Sequence, residues 1–145
     1  MKVLSILSSV IMITIFTPLC NAEDNNKFKN ALNNETCKKF RLNTATIVKM
    51  RNDGMPQVMV SKIVGGGIPN TDPTKKHLAN ISSDVYKFSS LNIHSHSMYQ
   101  YLSCARKLEG KTIKPLNTYN VDLLKCQKLT AVKAQISCIA GVIDN

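Results

Sequence analysis

Asp72-Pro-Thr-Lys-Lys-His-Leu-Ala-Asn-Ile-Ser-Ser-Asp-Val-Tyr-Lys-Phe88 is the stretch that decides the fold class. Asp72 offers a capping oxygen, and Pro73 has the fixed φ and missing N–H that suit the first helical position. Leu78, Ile81, Val85 and Phe88 then recur at spacings of three, four and three, the period of a helix with one apolar face, while Lys76 falls on a solvated face.

The same period extends in both directions. From Asn34, the residues Cys37, Phe40, Thr44, Ile47 and Val48 form one stripe, and Asn52-Asp53-Gly54 is a stop signal because Gly accepts the left-handed turn that closes a helix. Pro56 opens a short second helix whose expected apolar contribution is Val58, Met59, Ile63 and Val64. Gly65-Gly66-Gly67-Ile68-Pro69-Asn70 interrupts every period and is expected to be a mobile loop. Beyond Phe88, Ser89 to His96 reads as a connection. Met98, Tyr101, Leu102, Ala105 and Leu108 outline a fourth helix closed by Gly110. Lys111 to Thr118 reads as a loop around Pro115. Asn120 is then the expected cap of a final helical region containing Val121, Leu124, Ala131, Val132, Ile136 and Ile139 and ending at Gly141. Strand alternation, internal repeats and low-complexity tracts are missing from the sequence. The expectation is an all-α domain over residues 34–145, about five helices in a compact array stabilised by disulfides.

Composition agrees with one globular unit: 145 residues, 43% hydrophobic, 19% charged, 6% aromatic and no Trp. The start of the chain reads differently. Met1-Lys2, an apolar run from Val3 to Phe16, and Cys20-Asn21-Ala22 before Glu23-Asp24 have the order of a secretory signal cleaved after Ala22. The run is too short to span a bilayer, for which roughly 18 apolar residues are needed. A lipid on Cys20 is disfavoured because Thr17-Pro18-Leu19 lacks the usual residues before a lipidated Cys. Residues 23–33, polar and Asn-rich, read as a flexible segment. The expected address is periplasmic or secreted, with no transmembrane segment in the mature chain.

Export sets the reading of the cysteines. Cys37, Cys104, Cys126 and Cys138 are an even number in an exported chain, so two disulfides are expected rather than a metal site or a reactive thiol. No C-x-x-C occurs among them. Three pairings are formally open, and the preferred one joins Cys37 to Cys104 and Cys126 to Cys138. An unbroken helix through residues 120–140 would hold Cys126 and Cys138 about 18 Å apart, beyond the roughly 7 Å reach of a bridge. That pairing therefore demands a turn near Leu129-Thr130, with Thr130 as the expected cap of the following helix.

Charge narrows the partners. Removing residues 1–22 takes away Lys2 and no acid, so the whole-chain charge of +10 falls to +9. An anionic partner is compatible with that balance, although Lys38-Lys39, Lys75-Lys76 and Arg106-Lys107 are scattered rather than gathered in one tract. No nucleic-acid reader motif or aromatic-rich stacking segment occurs, so nucleic acid is not an expected target.

Cys37, Ala45, Ile47, Arg51 and Gly54, then Val85-Tyr86, then Tyr101-Leu102-Ser103-Cys104 make up a pattern of Cys, Arg-x-x-Gly and aromatic-x-x-Cys. Over residues 37–104 it resembles small exported, largely uncharacterised helical proteins of Gram-negative bacteria. The resemblance implies a periplasmic address and a helical fold, and lends no catalytic residue.

Chemistry was sought at four places. Lys62-Ile63-Val64-Gly65-Gly66 has the look of a trypsin-type activation junction, yet no Gly-Asp-Ser-Gly-Gly segment follows. Gly65-Gly66-Gly67 lacks the Gly-Lys-Ser/Thr continuation of a phosphate-cradling loop. His94-Ser95-His96 would let two imidazoles face one metal ion if extended, but His77 lies in another helix, and an exposed pair in a polar loop is the commoner meaning. Asn34-Glu35-Thr36 and Asn80-Ile81-Ser82 match the glycosylation acceptor pattern, which an Asn-rich chain produces by chance. The nine carboxylates are dispersed, and no acid/base pair or activated nucleophile can be named. The expectation is a chain that is not an enzyme, needs no cofactor or metal, and acts by binding. Its partner would be another exported protein, which it would oppose as an inhibitor or immunity-type protein. The alternatives are a basic surface protein for anionic envelope polymers or lipids, and a secreted eukaryotic helical factor.

Overall fold

A computed structural model describes residues 33–145. The expected signal segment and most of the expected flexible segment lie outside the described residues. Within them the chain forms six helices and no strands: α1 Asn34–Asn52, α2 Gln57–Val64, α3 Pro73–Lys87, α4 Ile93–Leu108, α5 Leu116–Cys126 and α6 Val132–Asp144. The all-α expectation holds, with six helices in place of about five.

Local signals account for α1 and α3. Asn33 Oδ1 accepts the Thr36 N–H at 2.8 Å, and Asp72 Oδ1 accepts that of Thr74 at 2.8 Å, so each helix starts at a side-chain cap. Gly54 closes α1 with φ +83, a conformation that costs any residue with a Cβ. Cys37, Phe40, Ile47 and Val48 of α1 pack with Leu78, Ile81 and Val85 of α3, Val60 of α2 and Cys104 of α4, and Thr44 is buried on the same stripe.

In α2 the expected face is wrong. Val60 is the residue buried, with Val64 packed beside it, whereas Val58, Met59 and Ile63 are 69%, 57% and 51% exposed. Five apolar positions among eight leave the phase of this helix undetermined, and the closeness of α3 selects the face with the slimmer side chains.

The connection expected over Ser89 to His96 is shorter. Asn92 Oδ1 accepts the Ser95 N–H at 2.9 Å and starts α4 at Ile93, so both His94 and His96 are helical. This helix packs against α1 on one side and α6 on the other, and it buries Ser95, His96, Ser97, Gln100 and Ser103 along with Tyr99 and Cys104. Met98, Tyr101 and Leu102 are only half-buried and Leu108 is exposed, so the expected apolar face of this helix is displaced toward its polar residues.

The C-terminal region departs furthest from expectation. Helix α5 begins at Leu116, inside the expected loop, after Pro115 in the cap position, and Asn120 is an interior residue rather than a cap. Its buried stripe is Leu116, Tyr119, Leu123 and Cys126; Val121 is 63% exposed and Leu124 half-buried. The chain turns over residues 127–131, where a break was expected, but Ala131 and not Thr130 stands at the cap of α6, with no side-chain capping bond. Helix α6 buries Gln135, Ile139 and Ile143, leaves Val132 exposed, and runs through Gly141 instead of ending there.

Two bridges span these elements. Cys37 pairs with Cys104 and Cys126 with Cys138, at Cα separations of 5.4 and 5.5 Å. The first fastens α1 to α4 across 67 residues of chain, and the second closes the α5–α6 hairpin across 12. In the chain-entropy account such loops contribute about 4 and about 3 kcal/mol respectively.

Candidate functional site

The residues of the Cys, Arg-x-x-Gly, aromatic-x-x-Cys pattern fall at the two ends of α1, the Cys37–Cys104 bridge at one and Arg51 at the other, and their contacts are structural. The Arg51 guanidinium donates through Nη1 to the Val85 carbonyl at 2.9 Å and through Nη2 to the Leu91 carbonyl at 3.4 Å. It thereby satisfies a carbonyl in the last turn of α3 that has no intrahelical donor, and fixes the chain leading into α4. Burial lowers its pKa from the ordinary value. The Tyr86 hydroxyl donates to the Met55 carbonyl, tying the Gly54 turn to α3.

The paired imidazoles do not converge. Two residues apart on a helix, His94 and His96 point roughly 200° apart around the axis. His96 is fully buried, with its Nε2 on the Phe88 carbonyl at 3.0 Å, and His94 is half-buried on another face. Burial foremost, with the charge of Arg51 adding to it, holds the His96 pKa at about 4 in spite of the bond to Phe88. His77 lies against the Phe40 ring, centroids 4.4 Å apart, and burial followed by the charge of Lys107 holds it at about 4 as well. His96 is a core group, and His77 is a half-buried one at the edge of the α1–α3 core. Among the described residues, no group of three or more His, Cys, Asp or Glu is arranged to hold a metal ion, and all four described cysteines are in bridges.

The Gly65-Gly66-Gly67 loop shapes a different feature. With Val58, Lys62 and Lys75 it lines an open groove of about 620 Å³ between α2 and the start of α3. Lys75 Nζ donates to the Ile68 carbonyl at 3.0 Å and to Asn70 Oδ1 at 2.9 Å, pinning the loop with a cation that meets only neutral acceptors. Beside the groove stands the exposed face of α2. At 100° per residue, Val58, Lys62, Met59 and Ile63 fall within about 140° of arc, so three large apolar side chains surround one lysine. Opposite them, Val60 is sunk against α3, and Ser61 Oγ donates to Ser82 Oγ at 3.1 Å. The sequence does carry these residues, but as expected core; only the docking of α2 reveals them as surface.

The second groove, of about 580 Å³ near Arg106, Lys111 and Lys114, has the first two of these cations engaged. Arg106 is held by both carboxylate oxygens of Asp144 at 2.6 and 2.7 Å and by Glu109 at 3.0 Å, and Lys111 by Glu109 at 2.9 Å. These exposed pairs clasp the C-terminal ends of α4 and α6 and contribute little each. Of the two acceptor motifs, Asn34 and Asn80 are exposed, while Ser82 is fully buried beneath α2.

No family model matches the chain, and no curated protein or solved structure matches it. No described helix is long and apolar enough to cross a membrane.

Proposed function

We propose that this chain is an exported binding protein that docks through the outward face of α2, and that it is not an enzyme. The observation that carries the reading is the exposure of Val58, Met59 and Ile63 together on a helix whose other side is anchored in a core cross-linked by Cys37–Cys104. Exposed clusters of this kind mark contact sites more often than isolated apolar residues do. The two bridges fit an oxidising compartment, and the signal-like start and the likeness to small exported helical proteins support a periplasmic address.

The test is site-specific photo-crosslinking in the cell of origin. A photoreactive residue at position 59 should give adducts that the same residue at position 121, equally exposed on α5, does not. No adduct at 59, or equal adducts at both positions, would remove α2 as the docking face.

A further inference from the structure

The occupant of the α2 face can be narrowed by area and by charge. Three side chains, each exposing about 100 Å², offer roughly 300 Å², against the roughly 800 Å² per partner of a stable protein interface. A second copy, or a protein to be inhibited, would need far more surface than α2 provides. A bilayer has no such requirement, because interfacial binding grows with each apolar side chain inserted and with each cation near an anionic surface.

The local charge pattern fits the second case. From Gly54 to Thr71 the chain carries one charged residue, Lys62, and no acid. Asp72, at one edge of the stretch, has its carboxylate turned to the α3 cap. Lys62 sits amid the apolar residues, with an aliphatic stem long enough to lift its ammonium to the level of phosphates while its neighbours enter the acyl boundary. Lys75 adds a second cation across the groove. The ion pairs among the described residues fall within residues 106–144 and involve neither lysine, so both charges are uncompensated by carboxylate. A mature charge of +9 favours approach to an anionic surface from a distance.

Resting on the reading of α2 as the docking face, we infer that this face inserts into an anionic lipid surface, with Val58, Met59 and Ile63 entering the head-group boundary and Lys62 meeting lipid phosphates.

Co-sedimentation of the oxidised chain with two kinds of vesicle tests this: equal parts phosphatidylglycerol and phosphatidylcholine, and phosphatidylcholine alone. Binding to the first should exceed binding to the second by at least about tenfold and weaken as salt is raised. V58S/M59S/I63S, three surface changes, should lose about tenfold or more on the anionic vesicles, and Lys62→Gln about fivefold, while Val121→Ser should bind as the parent does. Circular dichroism confirms that each variant is folded. Absence of binding to either vesicle overturns the lipid inference; if position 59 still crosslinks to a protein in cells, the docking face itself survives. Undiminished binding by V58S/M59S/I63S also overturns the lipid inference, since the basic surface as a whole would then be responsible, and the docking face then stands or falls by the crosslinking at position 59. A dimer that forms at micromolar concentration and is lost in V58S/M59S/I63S would assign the face to a second copy instead.

Discussion

On one side of α4, the α1–α3 layer is closed by aliphatic side chains meeting along helical stripes; on the other, the α5–α6 hairpin adds side-chain amides to an apolar cluster of its own. Val48, Val60, Val85, Ile47 and Ile81 fill the first core. In the second, Leu123 and Ile139 share the work with a set of hydrogen bonds that reaches across three segments. Gln127 Oε1 accepts the Asn92 N–H at 2.9 Å, its Nε2 donates to the Ser90 carbonyl at 3.0 Å, and Gln135 Nε2 donates to the Leu129 carbonyl at 2.5 Å. The 127–131 turn is thus fixed by side-chain amides to the start of α4, which lets a hairpin with no polar side chain at either N-cap keep a defined position. A directional polar network can replace part of an apolar core when every member has a partner, and the hairpin bridge then holds it shut.

The largest expected effect separates core from surface within the hairpin. Leu123→Asp puts a carboxylate at a fully buried site and should lower stability by more than about 4 kcal/mol, enough to unfold the hairpin. Val121→Asp, two residues away, should fall within about 0.5 kcal/mol of the parent. Leu78→Asp should match Leu123→Asp on the α3 side, where the same charge enters the aliphatic core. Urea unfolding followed by circular dichroism reads all three, and equal losses for positions 121 and 123 would mean that the face of α5 is misassigned.

That pair also marks where the sequence was readable. Helices α1 and α3 were legible because each has a side-chain cap, a stop or start residue with a specific backbone need, and a stripe of one chemical kind. Helix α5 was not, because Pro115 caps it without a side-chain acceptor and because Val121 and Leu124 form an alternative stripe that competes with Leu116, Tyr119 and Leu123. The start of α4 was hidden by composition, since Ser95, His96, Ser97 and Gln100 look like a polar loop and are buried only because α1 and α6 close over them. The break before α6 was legible from the bridge requirement alone. The face of α2 is not legible in the sequence: five of its eight residues are apolar, and nothing in them says which side a neighbour will cover.

Acid should break the two halves apart in sequence. The unfolded chain takes up protons on His77 and His96 near pH 6.5, whereas the folded chain resists until about pH 4, so the folded state holds fewer protons between those limits. Stability contributed by the two neutral imidazoles is complete above pH 6.5, drains as pH falls through that window and levels off below 4. Each shift corresponds to about 3 kcal/mol. His77 is half-buried on the α1–α3 side, His96 is fully buried where α4 joins it, and neither is on α5 or α6. Hydrogen exchange at pH 5 should therefore show the amides of α3 and the first turns of α4 losing protection before those of α5 and α6. His96→Gln should flatten roughly half of the pH dependence in urea unfolding, and an unchanged slope would remove His96 from this account.

The smallest expected effect concerns Gly141, and it tests whether α6 runs on to Asp144. A helix ending at Gly141 would place that residue in a closing turn, where a Cβ is penalised; a continuous helix makes it an interior position, where Gly is the less favourable choice. The structure puts nothing within 4 Å of an added Cβ, gives the residue no positive φ, and leaves it exposed. Asn145 Nδ2 donates to the Gly141 carbonyl at 2.6 Å, an orphan acceptor of the final turn that is satisfied from beyond the helix rather than by a glycine turn. Gly141→Ala should then stabilise the hairpin by about 0.5–1 kcal/mol, since Ala loses less backbone freedom on folding and meets no steric objection. In a chain of this size that is a rise of about 3 °C in Tm, measurable by calorimetry with the Cys126–Cys138 bridge intact. A fall in Tm instead would mean that α6 ends at Gly141, and that the Arg106–Asp144 clasp closes on a turn and not on a helix.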